Sequence, residues 1–191
     1  IMAASIESAL SAQKGGADRV ELCDNFSVGG TTPSPGLIQL AVDLLDIDVY
    51  VMIRPRGGDF FYSELEYKVM KNNVQFCKSI GAAGIVFGIL NSDGSIDTRR
   101  VKDLLKLAHP MKVTFHRAFD MVKDPFDSLE KLIDLGVDTI LTSGQKSSAW
   151  EGRELIRLAH KRGWMVACPQ GVNRQWNDGR EQIFRDAWGN K

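Results

Sequence analysis

Very little in this sequence is suited to cross-linking. Its 191 residues include three cysteines, Cys23, Cys77 and Cys168, widely spaced and with no C-x-x-C pair. That argues against a disulfide framework or a thiolate zinc knuckle and favours a reducing compartment, the cytoplasm. An excess of one charge is missing too, since 24 basic residues face 24 acidic ones. No broad field is therefore on offer to nucleic acid or to an anionic membrane. No apolar run approaches the roughly 18 residues needed to cross a bilayer, and no signal peptide is expected ahead of the first helical pattern. Nor is there a G-x-G-x-x-G, P-loop, H-E-x-x-H or G-x-S-x-G motif, so the readily named nucleotide, zinc-hydrolase and serine-hydrolase sites fall away.

What is present reads as one α/β domain spanning residues 1–191, with 43% hydrophobic and 25% charged residues and no linker composition. Short β-rich runs fall at Ile1–Ala4, Arg19–Cys23, Val49–Arg54, Gly84–Leu90, Lys112–Arg117, Thr139–Ser143 and Met165–Cys168. Helical patterns lie between them, about Ser5–Lys14, Pro35–Leu45, Ser63–Ile80, Asp97–Ala108, Pro125–Leu135 and Ala149–Lys161. Asp97 and Asp124 are expected as N-caps, the latter with Pro125 at the first helical position. The joints GGADRVEL, GAAGIVFG and GVDTILTS share one grammar, in which a glycine closes a helix and a β-run follows.

Strict β-α alternation implies a parallel sheet with right-handed crossovers. Polar residues at the ends of several β-runs favour a TIM-type (β/α) barrel over a doubly wound sheet, because a barrel delivers those ends to one mouth. About seven strands can be counted. The tail after Gly171 is polar and not strand-like, so the barrel is expected to be incomplete or divergent at its C-terminal end.

Alternation also assigns faces. If the apolar set faces the helices, Glu21, Arg54 and His116 meet at the barrel mouth, with Asp120 within a loop's reach. Such a group suits acid–base chemistry on a small anionic metabolite, with His116 as acid or base, Arg54 as anion clamp and Glu21 as complementary carboxylate. The bland alternative is an Arg54–Glu21 ion pair with His116 merely bonded to it. In IRPRGGDFFYS, Arg54 and Arg56 beside Gly57 and Gly58 suit a carboxylate or phosphate, or else form a rigid loop paired to Asp59 or Glu64. Copper is the metal to weigh, because Cu(I) takes soft sulfur ligands and Met2 and Cys23 fall on neighbouring strands. Equally, Cys23 can be a small buried hydrophobe and Met2 a gap-filler.

Four stretches, GGADRVELCDNFSVGGTTPSPG, VMIRPRGGDFFYS, VTFHRAFDMVKDP and LTSGQKSSAWEG, together resemble the CutC family of copper homeostasis proteins. The resemblance implies a (β/α) barrel, a cytoplasmic homodimer or larger homo-oligomer, and a role in copper tolerance or Cu(I) binding. It brings no established reaction. Cys23 matches the family's ELC cysteine, a proposed Cu(I) ligand, and Met2 falls where many members have a cysteine. Arg54, Arg56, Gly57, Gly58 and Asp59 match the RPRGGDF loop. His116, Arg117 and Asp120 match FHRAFD, and Ser143 with Gly144 matches LTSG; of these, Arg56, Gly57, Gly58, Arg117, Ser143 and Gly144 are the expected substrate-binding set. CPQGVN stands in place of a more glycine-rich turn after the seventh strand.

Overall fold

In the computed structural model, residues 1–161 and a two-residue strand at 166–167 are described. Seven strands appear: β1 (Met2–Ala3), β2 (Arg19–Leu22), β3 (Asp48–Met52), β4 (Gly84–Phe87), β5 (Lys112–Phe115), β6 (Thr139–Leu141) and β7 (Val166–Ala167). They form one sheet in sequence order, every neighbouring pair parallel. The sheet curls into an incomplete (β/α) barrel. The connecting helices are α1 (Ile6–Lys14), α2 (Pro35–Leu44), α3 (Glu64–Ser79), α4 (Thr98–Ala108), α5 (Pro125–Leu135) and α6 (Arg153–Lys161).

The helices begin where their caps dictate. Ser5 and Ser8 form a capping box on α1, as do Ser63 and Glu66 on α3, and each satisfies amides that the first turn leaves without partners. Asp97 caps α4, and Asp124 caps α5 ahead of Pro125. At the far end of α5, Gly136 adopts φ 83°, a left-handed turn that a β-carbon would strain. On α4, Val101, Leu104 and Ala108 recur at helical spacing and are buried against the sheet.

The two sheet faces carry different chemistry. Val20, Leu22, Val51, Ile53, Ile85, Phe87, Val113, Phe115 and Ile140 belong to the large core shared with the helices. Cys23, Tyr50, Met52 and Val86 form a separate small cluster on the axial side. Period-2 alternation produces this division. Tyr50, in register with Glu21 on β2 and Gly84 on β4, packs tightly on the axial side. A β-carbon on Gly84 would lie 2.6 Å from its ring, and the Arg19 guanidinium stands 4.5 Å from the ring centroid.

Several elements are shorter than their β-rich runs. Cys23, Arg54 and His116 lie just past the ends of β2, β3 and β5. At Arg54 the backbone turns to a loop, since its N–H donates to Thr32 Oγ1 (2.8 Å) and its carbonyl accepts from the Thr32 amide (2.9 Å). The last helix starts at Arg153 rather than Ala149, after a turn that brings Gly152 against Gly144. Of the seventh run, Met165 and Cys168 lie outside the described residues, as does the CPQGVN turn.

Ile85, fully buried in the middle of the sheet, tests this packing. Ile85→Ala is expected to lower stability by about 2–5 kcal/mol, read as a lower denaturant midpoint with an unchanged slope. A loss below about 0.5 kcal/mol, the range of a surface change, would contradict its central position.

Candidate functional site

A cavity of about 400 Å³ opens at the C-terminal ends of the strands, lined by Met2, Glu21, Phe26, Gly29, Met52, Arg54, Phe60, His116, Arg117 and Leu141. Glu21, Arg54 and His116 thus share one wall system, although their partners differ from a simple mutual cluster. Glu21 accepts from Arg19 Nη2 at 3.1 Å. There is no Arg54–Glu21 pair among the described residues; Arg54 turns instead to the backbone.

Arg54 is the most constrained side chain of the site. Its Nη1 donates to the carbonyls of Val28 (2.8 Å) and Gly30 (3.0 Å), and its Nη2 to that of Gly58 (2.8 Å). The guanidinium also lies 4.9 Å from the Phe60 ring centroid. It is 5% exposed and, among the described residues, has no carboxylate partner, so its charge is solvated by dipoles alone. Among the described residues its Nε has no acceptor within hydrogen-bond geometry. The glycines around it are required by proximity. A β-carbon on Gly29 would come 3.2 Å from Arg54 Nη1, and one on Gly57 would come 2.8 Å from Val28 Cβ. Gly57 thus allows the two loops to pack together, while Gly58 adopts φ 84°, the left-handed region that favours glycine.

His116 is 3% exposed, and its Nδ1 accepts the Ala118 amide at 3.1 Å, capping the short 3-10 turn Arg117–Met121. In the neutral ring the proton then sits on Nε2. That nitrogen is buried without a partner. Burial, aided by the nearby Arg54 charge, pushes the imidazole pKa down to about 3. Near neutral pH the ring is thus neutral, a hydrogen-bond donor at Nε2. Phe60 stacks against it at a centroid distance of 4.9 Å, and Gly88 makes room for it, since a β-carbon there would lie 2.6 Å from Nδ1.

Asp120 stands outside the cavity lining. Its carboxylate accepts from the Thr142 hydroxyl, Arg117 Nε (2.8 Å), Ser143 Oγ (3.0 Å) and the amides of Ser143 and Gln145 (3.1 Å each). Burial alone would raise its pKa, yet these hydrogen bonds together hold it below the usual carboxylate range. It is a staple between the loops after β5 and β6. Ser143 belongs to the same staple, with Arg117 Nη2 donating to its Oγ at 3.0 Å. Gly144, at φ 71°, packs on Gly152. Of this group only Arg117 lines the cavity.

Arg56 is likewise consumed, donating to Glu66 (2.6 Å), the Asp59 carboxylate (3.0 Å) and the carbonyls of Gly57, Asp59 and Phe61. It braces its own loop. The sulfur atoms divide as well. Met2 is 41% exposed at the cavity rim, whereas Cys23 is sealed at 0%. A β-carbon on Gly30 would lie 3.6 Å from both Cys23 Sγ and Met52 Cε, so those two sulfur-bearing side chains share one recess beneath Gly30. Burial first, then the charges of Glu21 and Asp24, pushes the Cys23 thiol up to about 12. Among the described residues no group of three or more His, Cys, Asp or Glu could hold a metal. Met52 was visible to alternation as a neighbour of Arg54, while Phe26, Phe60 and Leu141 carried no sequence signal beyond their apolar character.

The CutC family model matches residues 1–175. The chain belongs to the CutC family. Among its CutC relatives, a human protein named copper homeostasis protein cutC homolog is 51% identical over 169 residues, covering 87% of this chain and 62% of that protein. The chain therefore spans less than two thirds of that relative. The crystal structure of a copper homeostasis protein CutC from Streptococcus agalactiae superposes with a TM-score of 0.85 at 33% identity, covering 98% of this chain and 93% of that one. An aldolase designated QR15 gives 0.63 at 17% identity over 84% of this chain and 71% of its own, a likeness of fold alone.

Two measurements test this CutC site. The folded His116 pKa, about 3 against an ordinary 6.5, means the unfolded chain takes up the proton first. The stability it contributes is complete above pH 6.5 and is lost as pH falls towards 3. The pH dependence of stability across that window should be shallower in His116→Phe than in the parent, and an equal slope would remove the neutral imidazole. Gly88→Ala is expected to cost about 1–3 kcal/mol by crowding the ring, measured by denaturation; a neutral effect would mean His116 is not held there.

Proposed function

We propose that this chain serves in copper homeostasis, taking Cu(I) as cargo at the sulfur side chains of the barrel mouth. Family membership carries the reading, together with the name of the human relative at 51% identity. Cys23 is the first ligand in this proposal and Met2 the second. Met2 pairs in register with Glu21, two residues before Cys23 on the adjacent strand. Thiolate and thioether donors suit a soft monovalent ion that is content with few ligands. Met52, beside Cys23 under Gly30, is a third donor of the same kind.

The local chemistry sets conditions on such binding. A sealed thiol with a pKa near 12 must surrender its proton and be uncovered at Gly30 before it can bind a metal, so uptake is linked to pH. The rest of the cup is, in this reading, a receptacle for a small anionic ligand held by Arg54 and His116. The acid–base enzyme alternative is not favoured, because His116 is neutral with Nδ1 engaged and Asp120 faces away from the cavity. We further infer that residues 1–191 make up a single barrel domain working in the cytoplasm as a homo-oligomer. The two described thiols, Cys23 and Cys77, are free, which suits a reducing compartment.

Competition with a chromophoric Cu(I) chelator tests the copper reading. Cys23→Ala is expected to weaken apparent Cu(I) affinity by about 100-fold or more, and Met2→Leu by less. In the parent protein, affinity should rise about tenfold per pH unit near neutrality, because one proton is displaced. Equal affinity in parent and Cys23→Ala would take Cys23 out of the site.

A further inference from the structure

The cavity has a recognisable electrostatic and hydrogen-bonding signature. Of the charged groups lining it, Glu21 is paired with Arg19 and Arg117 with Asp120. Arg54 alone retains an uncompensated charge among the described residues, held in place by carbonyl groups that carry no net charge. Next to it, His116 carries one buried donor, Nε2–H, with no acceptor among the described residues. Leaving such a donor unpaired in a buried site costs about 1–3 kcal/mol. The remaining lining, from Phe60, Met52, Phe26 and Leu141, is apolar.

We propose that the cup binds a small monoanionic carboxylate with an apolar body, its oxygens taking the His116 Nε2–H and meeting the Arg54 guanidinium. This rests on the reading of the cup as an anion pocket and adds the class of anion. A single unneutralised guanidinium matches one negative charge, whereas a phosphate dianion would bring a second into an apolar site that lacks a partner for it. A neutral imidazole with Nδ1 engaged can only donate, so it selects an acceptor oxygen and rejects ammonium and other donor groups. The apolar wall supplies the surface on which the rest of the ligand rests, the usual construction of a small-molecule pocket. Arg54 needs no rearrangement to meet the ligand, because three carbonyls already fix it.

The test uses the full chain, with benzoate and mandelate as carboxylate probes, benzamide as the uncharged counterpart of benzoate, and inorganic phosphate. Binding is read by calorimetry, and the imidazole by ¹⁵N–¹H NMR of histidine-labelled protein. The carboxylates are expected to bind at least tenfold more tightly than benzamide and to shift the His116 Nε2–H resonance. His116→Phe, which keeps a ring and loses the donor, should weaken benzoate at least tenfold; if that variant does not fold, the parent's resonance decides. Equal binding of benzoate and benzamide, or carboxylate binding that leaves the resonance unmoved, overturns the proposal. Phosphate binding without carboxylate binding overturns the carboxylate class while sparing the anion pocket. If no probe binds at about 10 mM, where even a 1 mM site would be mostly filled, both fall.

Discussion

Arg54 is the residue on which the mouth of this barrel is assembled. One guanidinium takes up the carbonyls of Val28, Gly30 and Gly58, joining the loop after β2 to the loop after β3. Hydrogen bonds to a charged group contribute roughly 1.5–3 kcal/mol each. Gly29 and Gly57 are needed because this grip draws the loops too close for side chains. The same charge stacks on Phe60 and helps keep His116 neutral. Much of the loop geometry at the site, and part of its electrostatics, trace back to where this one side chain lies.

Across the mouth, Asp120 performs the complementary task with the opposite charge. It collects hydroxyl, amide and guanidinium donors from the loops after β5 and β6 and so locks that half as Arg54 locks the other. His116 stands between the two staples, on the end of β5. Its freedom is therefore removed from both sides, by Phe60 on one and by the Ala118 amide on the other. A side chain with so little room holds its Nε2–H in a fixed direction.

How much of this could be read from the residues follows from what alternation encodes. Period-2 patterning assigned Glu21, Arg54 and His116 to the axial face, and the ends of the β-runs assigned them to the same mouth, because both depend only on local backbone geometry. The parallel order of the strands was legible for the same reason. The partner each charge would choose was not. Arg56 and Asp120 read as ligands because their types fit, yet Glu66, Asp59, Thr142 and backbone amides from distant loops claim them first. Arg54 and Glu21 look like a pair in the sequence, but Arg19, two residues from Glu21 and hence on its face, reaches it at close range. The sealing of Cys23 depends on Gly30 folding back over it, a tertiary event that no spacing announces.

The cover that Gly30 forms over Cys23 has a consequence for traffic. An ion bound for Cys23 would have to lift Gly30, whose carbonyl Arg54 grips. Raising that flap loosens the guanidinium from which any anion in the cup takes its charge. The two guests would then be antagonists at a shared threshold, each gaining entry by undoing the seat of the other.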